Sequence, residues 1–261
     1  MDRLRIPKPP PPQEVTALPL TTPVSSGNVR FVCISDTHSR TQKLEIPPGD
    51  ILIHAGDFSN EGRISEVANF NKFLASLPHT RKIVIAGNHE LSFDPETNMI
   101  SYDQMLKELH GKDNIRDLLT DCTYLEDSAT DVFGYKIYGS PWQPEFMGWA
   151  YNLPRGKALR EKWDMIPTDT DILITHGPPY GHGDVTRGRN NVGCEELLKT
   201  IQLRVKPLYH IFGHIHEGYG ITTDGTTNYI NASTCTIMYK PLNPPIIFDL
   251  PLKDGVTKEK H

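Results

Sequence analysis

The chain has 261 residues, 37% of them hydrophobic, enough for one large folded unit with a sizeable core. Its formal net charge is −5 and no Lys/Arg block is present, so a sequence-independent grip on long nucleic acid has no electrostatic basis. No run of about 20 apolar residues could span a bilayer, and the start lacks a charged, then apolar, leader, so no membrane role and a cytoplasmic location are expected.

Residues 1–28 carry "IPKPPPPQEVTALPLTTPVSSG", whose prolines and small polar residues favour an extended, weakly packed arm. Its PxxP pattern could recruit an SH3-type partner, and a passive leader draped on the domain is the plainer reading. The folded domain is expected over residues 29–250. Within it, short β-branched runs bounded by Gly, Pro or Asp read as buried strands: "VRFVCIS", "DILIHAG", "RKIVIAG", "FGYKIYG", "DILITHG" and "LYHIFG". Helical stripes separate several of them. In "SEVANFNKFLASL" the stripe is Val67, Phe70, Phe73 or Leu74, and Leu77, and in "CEELLKTIQL" it is Leu197, Leu198 and Ile201. "TNYINAS" and "PIIFDLP" read as further strands, and residues 251–261 as a polar, frayed tail. The organisation is α/β. Neither GxGxxG after a strand nor GxxxxGK[ST] occurs, which removes dinucleotide and P-loop chemistry. The four cysteines, Cys33, Cys122, Cys194 and Cys235, form no CxxC and read as reduced and structural.

The strand ends carry the chemistry. The first run ends in Asp36-Thr37-His38, the second in Gly56-Asp57, the third in Gly87-Asn88-His89, and two later ones in His176-Gly177 and Gly213-His214-Ile215-His216. In open α/β sheets the crevice beyond the carboxyl ends of strands is where sites form. In an extended segment residues two apart face one way, so Asp36 with His38, and His214 with His216, are expected to address one point. Asp36, His38, Asp57, Asn88, His176, His214 and His216 are seven oxygen and nitrogen donors, more than one ion needs. Two cations about 3.5–4 Å apart with a bridging carboxylate would use them, an arrangement suited to in-line displacement at phosphorus.

At "DTH", "GD", "GNHE", "HG" and "GHIH", in that order, the chain resembles the calcineurin-like metallophosphoesterases over about residues 30–250. "HAGDFSNEG", "HGPPYGHGD" and "FGHIHEGYG" look closer to the metallophosphoesterase-domain-containing proteins expressed in fetal brain, relatives of the class III cyclic nucleotide phosphodiesterases. The resemblance implies a four-layer α/β/β/α sandwich with two mixed β-sheets. It places Asp36, His38, Asp57 and His216 on the first metal and Asp57, Asn88, His176 and His214 on the second, with Asp57 as the bridge. His89 is left to protonate the leaving oxygen. The implied activity is hydrolysis of small phosphodiesters, 3′,5′-cyclic nucleotides foremost, by a metal-bridging hydroxide, with nucleoside monophosphate as product inhibitor. Two divalent ions are implied, manganese favoured, with iron, zinc or nickel compatible with the same donors.

Ser/Thr phosphatases of this superfamily follow GD with a second Asp and an Arg-Gly; Asp57-Phe58-Ser59-Asn60-Glu61-Gly62-Arg63 departs from that and speaks against phosphoprotein substrates. Some fetal-brain-type members carry Gly in place of the first His of the last motif, whereas His214 is present here. A non-catalytic nucleotide-binding or scaffold protein is the alternative, and a lost ligand would have signalled it. Arg63 and His182 are substrate-contact candidates. His54 and His210 are expected behind the ligands or in the core, and His79, His110 and His261 at the periphery. Trp142, Trp149, Tyr151 and Trp163 form either core or a wall for a nucleobase.

Overall fold

The computed structural model describes residues 11–94, 96 and 103–258. The elements in chain order are β1 (Gln13–Val15), β2 (Asn28–Ile34), β3 (Ile51–His54), α1 (Ile64–Ala75), β4 (Arg81–Val84), α2 (Asp103–His110), β5 (Thr123–Tyr124), β6 (Ser128–Val132) and β7 (Tyr135–Ser140). They continue with β8 (Gln143–Pro144), β9 (Asn152–Leu153), α3 (Lys157–Asp164), β10 (Ile172–Thr175), α4 (Glu195–Thr200), β11 (Tyr209–Phe212), β12 (Gly220–Thr223), β13 (Asn228–Asn231) and β14 (Ile246–Pro251). All eight strands expected from β-branched runs form, and both expected helices form. Helix α4 passes into a π-helical turn over Ile201–Val205.

Two mixed sheets result. One runs β1-β12-β13-β11-β10-β7-β6, and the other β14-β2-β3-β4-β5. In the first, β13, β11, β10 and β7 are parallel, with antiparallel neighbours toward both edges. In the second, β2 to β5 are parallel and β14 is antiparallel to β2. Strand alternation sorts the side chains into layers. Phe31, Cys33, Ile51, Ile53 and Ile83 of one sheet meet Ile137, Ile172, Ile174, Ile211 and Ile230 of the other in a shared core. The opposite faces are also apolar: Val32, Ile34, Leu52 and Val84 pack on Ile64, Val67, Phe70 and Leu74 of α1. Leu173, Phe212 and Tyr229 pack on Leu159 and Trp163 of α3 and Leu197 of α4. The order is helix, sheet, sheet, helix, as the resemblance implied. A parallel strand buried on both faces must be apolar throughout, which is why these runs do not alternate in the sequence.

The ends of the chain are held more firmly than their composition suggests. The arm is extended, but β1 adds an antiparallel edge strand to β12. The proline run lies largely outside the described residues. The tail is not frayed as far as residue 258: Leu252 N–H donates to Gly27 O, Lys253 pairs with Asp171, and Lys258 pairs with Asp50. Of the cysteines, Cys33, Cys194 and Cys235 are buried, Cys122 is half-buried, and all are free. No helix among the described residues is long and apolar enough to cross a membrane.

Arg30 on β2 and Asp249 on β14 face each other across the ladder in a two-pronged ion pair, Nε to Oδ1 and Nη2 to Oδ2, both 2.8 Å. Nη1 donates to Thr22 O of the arm at 2.6 Å. The Arg30 side chain is only 3% exposed, so removing its partner strands a charge in the interior. Asp249→Ala is therefore expected to lower unfolding stability by about 3 kcal/mol, measured by denaturant titration. A loss well under 1 kcal/mol would mean that the pair is solvated.

Candidate metal centre

The motif residues meet where the carboxyl ends of both sheets converge. β2 delivers Asp36 and His38, β3 delivers Asp57, and the segment after β4 delivers Asn88 and His89. From the other sheet, β10 delivers His176, and β11 delivers His214 and His216. The reason is not the strand alternation expected from DxH and HxH. Asp36, His38, Asp57 and His214 all lie beyond the last strand residue with positive φ, between 43° and 67°. Four non-glycine residues in left-handed backbone cost on the order of 1–3 kcal/mol each, and such strain gathers where geometry serves function. The backbone approaches closely as well. A Cβ at position 213 would stand 2.0 Å from Asp36 Oδ2, and one at position 87 would stand 2.4 Å from Asp57 Oδ1, so only glycine fits.

Three trios of donor atoms, each within 4.8 Å of one another, form there: Asp36, His38 and His216; Asp57, His176 and His214; and His38, Asp57 and His89. His176 Nε2 is 3.0 Å from Asn88 Oδ1 and 3.3 Å from Asp57 Oδ2. His216 Nε2 is 3.4 Å from Asp36 Oδ1 and 3.3 Å from His38 Nε2. The protons can be placed. His176 Nδ1 faces Ala55 O at 2.9 Å and His216 Nδ1 faces Thr236 O at 3.1 Å. A carbonyl only accepts, so both Nδ1 atoms carry hydrogen, and in the neutral rings both Nε2 lone pairs point at other acceptors. Lone pairs gathered on buried oxygens and nitrogens need a cation between them, and the mixed O and N donors fit divalent ions. In protein atoms alone, protons fill that need. Burial pulls His176 down, but the Asp57 charge wins and carries it up to about 9. Burial pushes Asp57 up, yet His176, His89 and His38 together hold it well below the usual carboxylate range.

Supporting residues surround the donors. Glu90, fully buried, accepts from the N–H groups of Asp57, Ser59 and Gly87 and from Ser59 Oγ. Burial, with the Asp57 charge, pushes its carboxyl up to about 8 against those four donors. Asp36 accepts from His214 N–H and from Ser233 Oγ. Glu90 ends the GNHE motif and was legible as a motif residue though not as this brace; Ser233 carried no signal. His54 and His210 are wholly buried, each against a threonine next to the donors, Thr37 and Thr175.

His89 lies beside the donors, its side chain 14% exposed. Its Nδ1 faces Asn60 O at 2.7 Å, so Nδ1 carries hydrogen and Nε2 points inward, 3.9 Å from Asp57 Oδ2. Trp149 stacks obliquely on its ring at 4.3 Å, and Tyr239 touches the rings of His38, His89 and His216. A cavity of about 450 Å³ opens onto Asp57, Asn88, His89, His214 and His216. Phe146, Ile237 and Tyr239 line its outer part, with Arg155.

Two substrate-contact candidates sit elsewhere. Arg63 precedes α1 and extends along the surface, where its guanidinium grips Glu61. His182 is 3% exposed, stacked on Tyr229 at 3.7 Å and bonded to Thr222, and burial lowers it to about 4. Neither lines the cavity. Of the aromatics, Trp163 and Tyr151 are core and Trp142 packs on Tyr151, leaving Trp149 alone of that cluster against a site residue. His79 is buried rather than peripheral, against Pro47 O; His110 is exposed, and His261 lies outside the described residues.

Residues 29–218 match the family model described as calcineurin-like phosphoesterase. Metallophosphoesterase domain-containing protein 1 of Homo sapiens and of Mus musculus are each 56% identical to the chain over 254 residues, covering 94% of this chain and 78% of the relative. A 3′,5′-cyclic-nucleotide phosphodiesterase of Nostoc sp. is 23% identical over 224 residues, 81% of this chain and 74% of the relative.

Asp57 belongs to two of the three donor trios and His214 to one, so variants at the two positions are expected to differ. Asp57→Asn is expected to reduce bound divalent metal from two ions per chain toward none, while His214→Ala removes one and leaves the other. Metal analysis after dialysis measures both. Equal losses in the two variants, or one ion in the unaltered protein, would refute the shared-carboxylate arrangement.

Proposed function

The chain belongs to the calcineurin-like phosphoesterase family, hydrolases acting on phosphoester bonds, and from that premise we propose that it hydrolyses small phosphodiesters, 3′,5′-cyclic nucleotides foremost, in the cytoplasm. The observation that carries the reading is a cluster of donor atoms from Asp36, His38 and His216 beside a second from Asp57, His176 and His214, with Asn88 against His176 and with His38 3.9 Å from Asp57. Asp36, His38, Asp57 and His216 would hold one divalent cation, and Asp57, Asn88, His176 and His214 the other. When bound, the two cations, manganese favoured, supply Lewis acidity at the phosphoryl oxygens and bring water within reach of deprotonation near neutral pH.

The protein's own groups do the rest. Ala55 O and Thr236 O fix the tautomers of His176 and His216, and Glu90 fixes the turn that presents Asp57. His89, anchored through Nδ1–H to Asn60 O, is placed to give a proton from Nε2 to the oxygen that leaves as the ester bond breaks. A diester brings one negative charge to a site that already holds Asp36 and Asp57, whereas a monoester brings two. Phe146, Ile237 and Tyr239 offer apolar surface on which a nucleobase can rest, in a cavity of about 450 Å³ suited to a small molecule. The name of the Nostoc relative supports the cyclic diester. Absence of the Arg-Gly run after Asp57 and of a basic track speaks against phosphoproteins and long DNA.

His89→Ala is expected to keep both ions yet lose about 10²–10⁴-fold in rate on a diester with an alkoxide leaving group, and much less on bis-p-nitrophenyl phosphate, whose leaving group needs little protonation. Loss of metal would make His89 a ligand, and equal losses on both esters would make it a positioning group.

Across substrates, kcat/KM with manganese is expected to rank cyclic AMP or GMP above phosphoserine peptide and single-stranded DNA, with AMP or GMP inhibiting competitively. Faster turnover of peptide or DNA without monophosphate inhibition would overturn the substrate assignment.

A further inference from the structure

β3 and β11 each bury a histidine where their neighbours are apolar. His54 closes the run Ile51-Leu52-Ile53, and His210 precedes Ile211-Phe212; both are 0% exposed. Each keeps an Nδ1 with no protein partner among the described residues. An unpaired buried polar atom costs on the order of 1–3 kcal/mol, a penalty that leucine at either position would avoid. The packing does not call for imidazole either. His54 rests edge-on against Phe70 and Phe58, and His210 lies against Phe212 and Tyr229, surroundings that suit an apolar side chain.

What imidazole supplies is its other nitrogen. His54 Nε2 lies 2.9 Å from Thr37 Oγ1, and His210 Nε2 lies 2.8 Å from Thr175 Oγ1. Thr175 donates its hydroxyl hydrogen to Gly177 O at 2.7 Å, so it accepts from His210 Nε2–H. These threonines are placed alike. Thr37 stands between Asp36 and His38, two donors in left-handed backbone, and Thr175 directly precedes His176. The same device therefore occurs once in each sheet: β3 reaches across to the end of its parallel neighbour β2, and β11 reaches across to the end of its parallel neighbour β10.

We propose that His54 and His210 are positioning residues, one for each cation: His54 holds the Asp36–His38 turn of the first through Thr37, and His210 holds His176 of the second through Thr175. The inference rests on the binuclear reading above. Groups that orient metal ligands at one remove are typically worth 10- to 100-fold in metal affinity. Here they act at the expense of stability, which separates positioning from packing.

The test is calorimetric titration of manganese into metal-stripped protein, with thermal unfolding of the same samples. His216→Ala and His214→Ala identify the binding step that belongs to each ion. His54→Leu is expected to weaken the first ion about 10- to 100-fold and leave the second nearly unchanged, and His210→Leu to do the converse. The metal-free Tm should stay equal or rise in both. His54→Gln and His210→Gln, whose amide nitrogen reaches where Nε2 stood, should recover most of the affinity. Leu variants that bind both ions normally overturn the inference, as do variants that weaken both steps alike with a lowered metal-free Tm. An unaltered protein that takes fewer than two ions refutes the binuclear reading and the inference with it, whereas two ions in the unaltered protein with normal Leu variants refute the inference alone.

Discussion

Electrostatic frustration at the meeting of two sheets governs this molecule. Two carboxylates and several imidazole nitrogens, all acceptors once their hydrogens are placed, crowd into a space closed to water on most sides. No arrangement of protein atoms alone satisfies them except one that borrows protons, which is why His176 rises and Asp57 falls from their ordinary values. Each proposed ion draws donors from both sheets. The donors meet only where the two sheets pack on their shared core, so a bound cation would stabilise that packing.

The surrounding backbone is arranged to hold this tension. Glu90 gathers three N–H groups from two separate motifs into one carboxylate, so the turn carrying Asp57 and the turn at Gly87 move as a unit. Four candidate ligands stand in left-handed conformations that an unconstrained chain would leave. Glycine at 87 and 213 is set by contact distance, because any side chain there would occupy the place of a ligand oxygen. The site is thus held chiefly by backbone geometry, with side chains as the terminal contacts.

Much of this was legible in the sequence, for identifiable reasons. Strands buried on both faces write themselves as β-branched runs, and four of the five that lead to the site carry a glycine at their end, where the chain turns, so the five polar endings were visible without coordinates. Paired DxH and HxH residues do converge, but through left-handed turns and not through strand alternation, and spacing does not encode such turns. Helix α3 escaped notice because only Leu159 and Trp163 mark its buried face, and β12 because all four of its residues are only half-buried and need no apolar run. Arg63 and His182 lie near the motifs in sequence yet do not line the cavity, Arg63 because its guanidinium pairs with Glu61 at the start of α1, His182 because it stacks on Tyr229. Lys253 and Lys258 read as solvated tail residues, and only the fold shows the aspartates that receive them.

The pairing of β2 with β14 brings the two ends of the domain side by side, with Leu252 N–H donating to Gly27 O and Asn28 opposite Pro251. This junction lies at the amino end of β2, a full strand length from Asp36 at its other end. Covalent connectivity there is replaceable in principle. A short linker could join Gly27 to Leu252 and new termini could be opened in a surface turn, giving a circularly permuted domain whose new connection lies a strand length from Asp36.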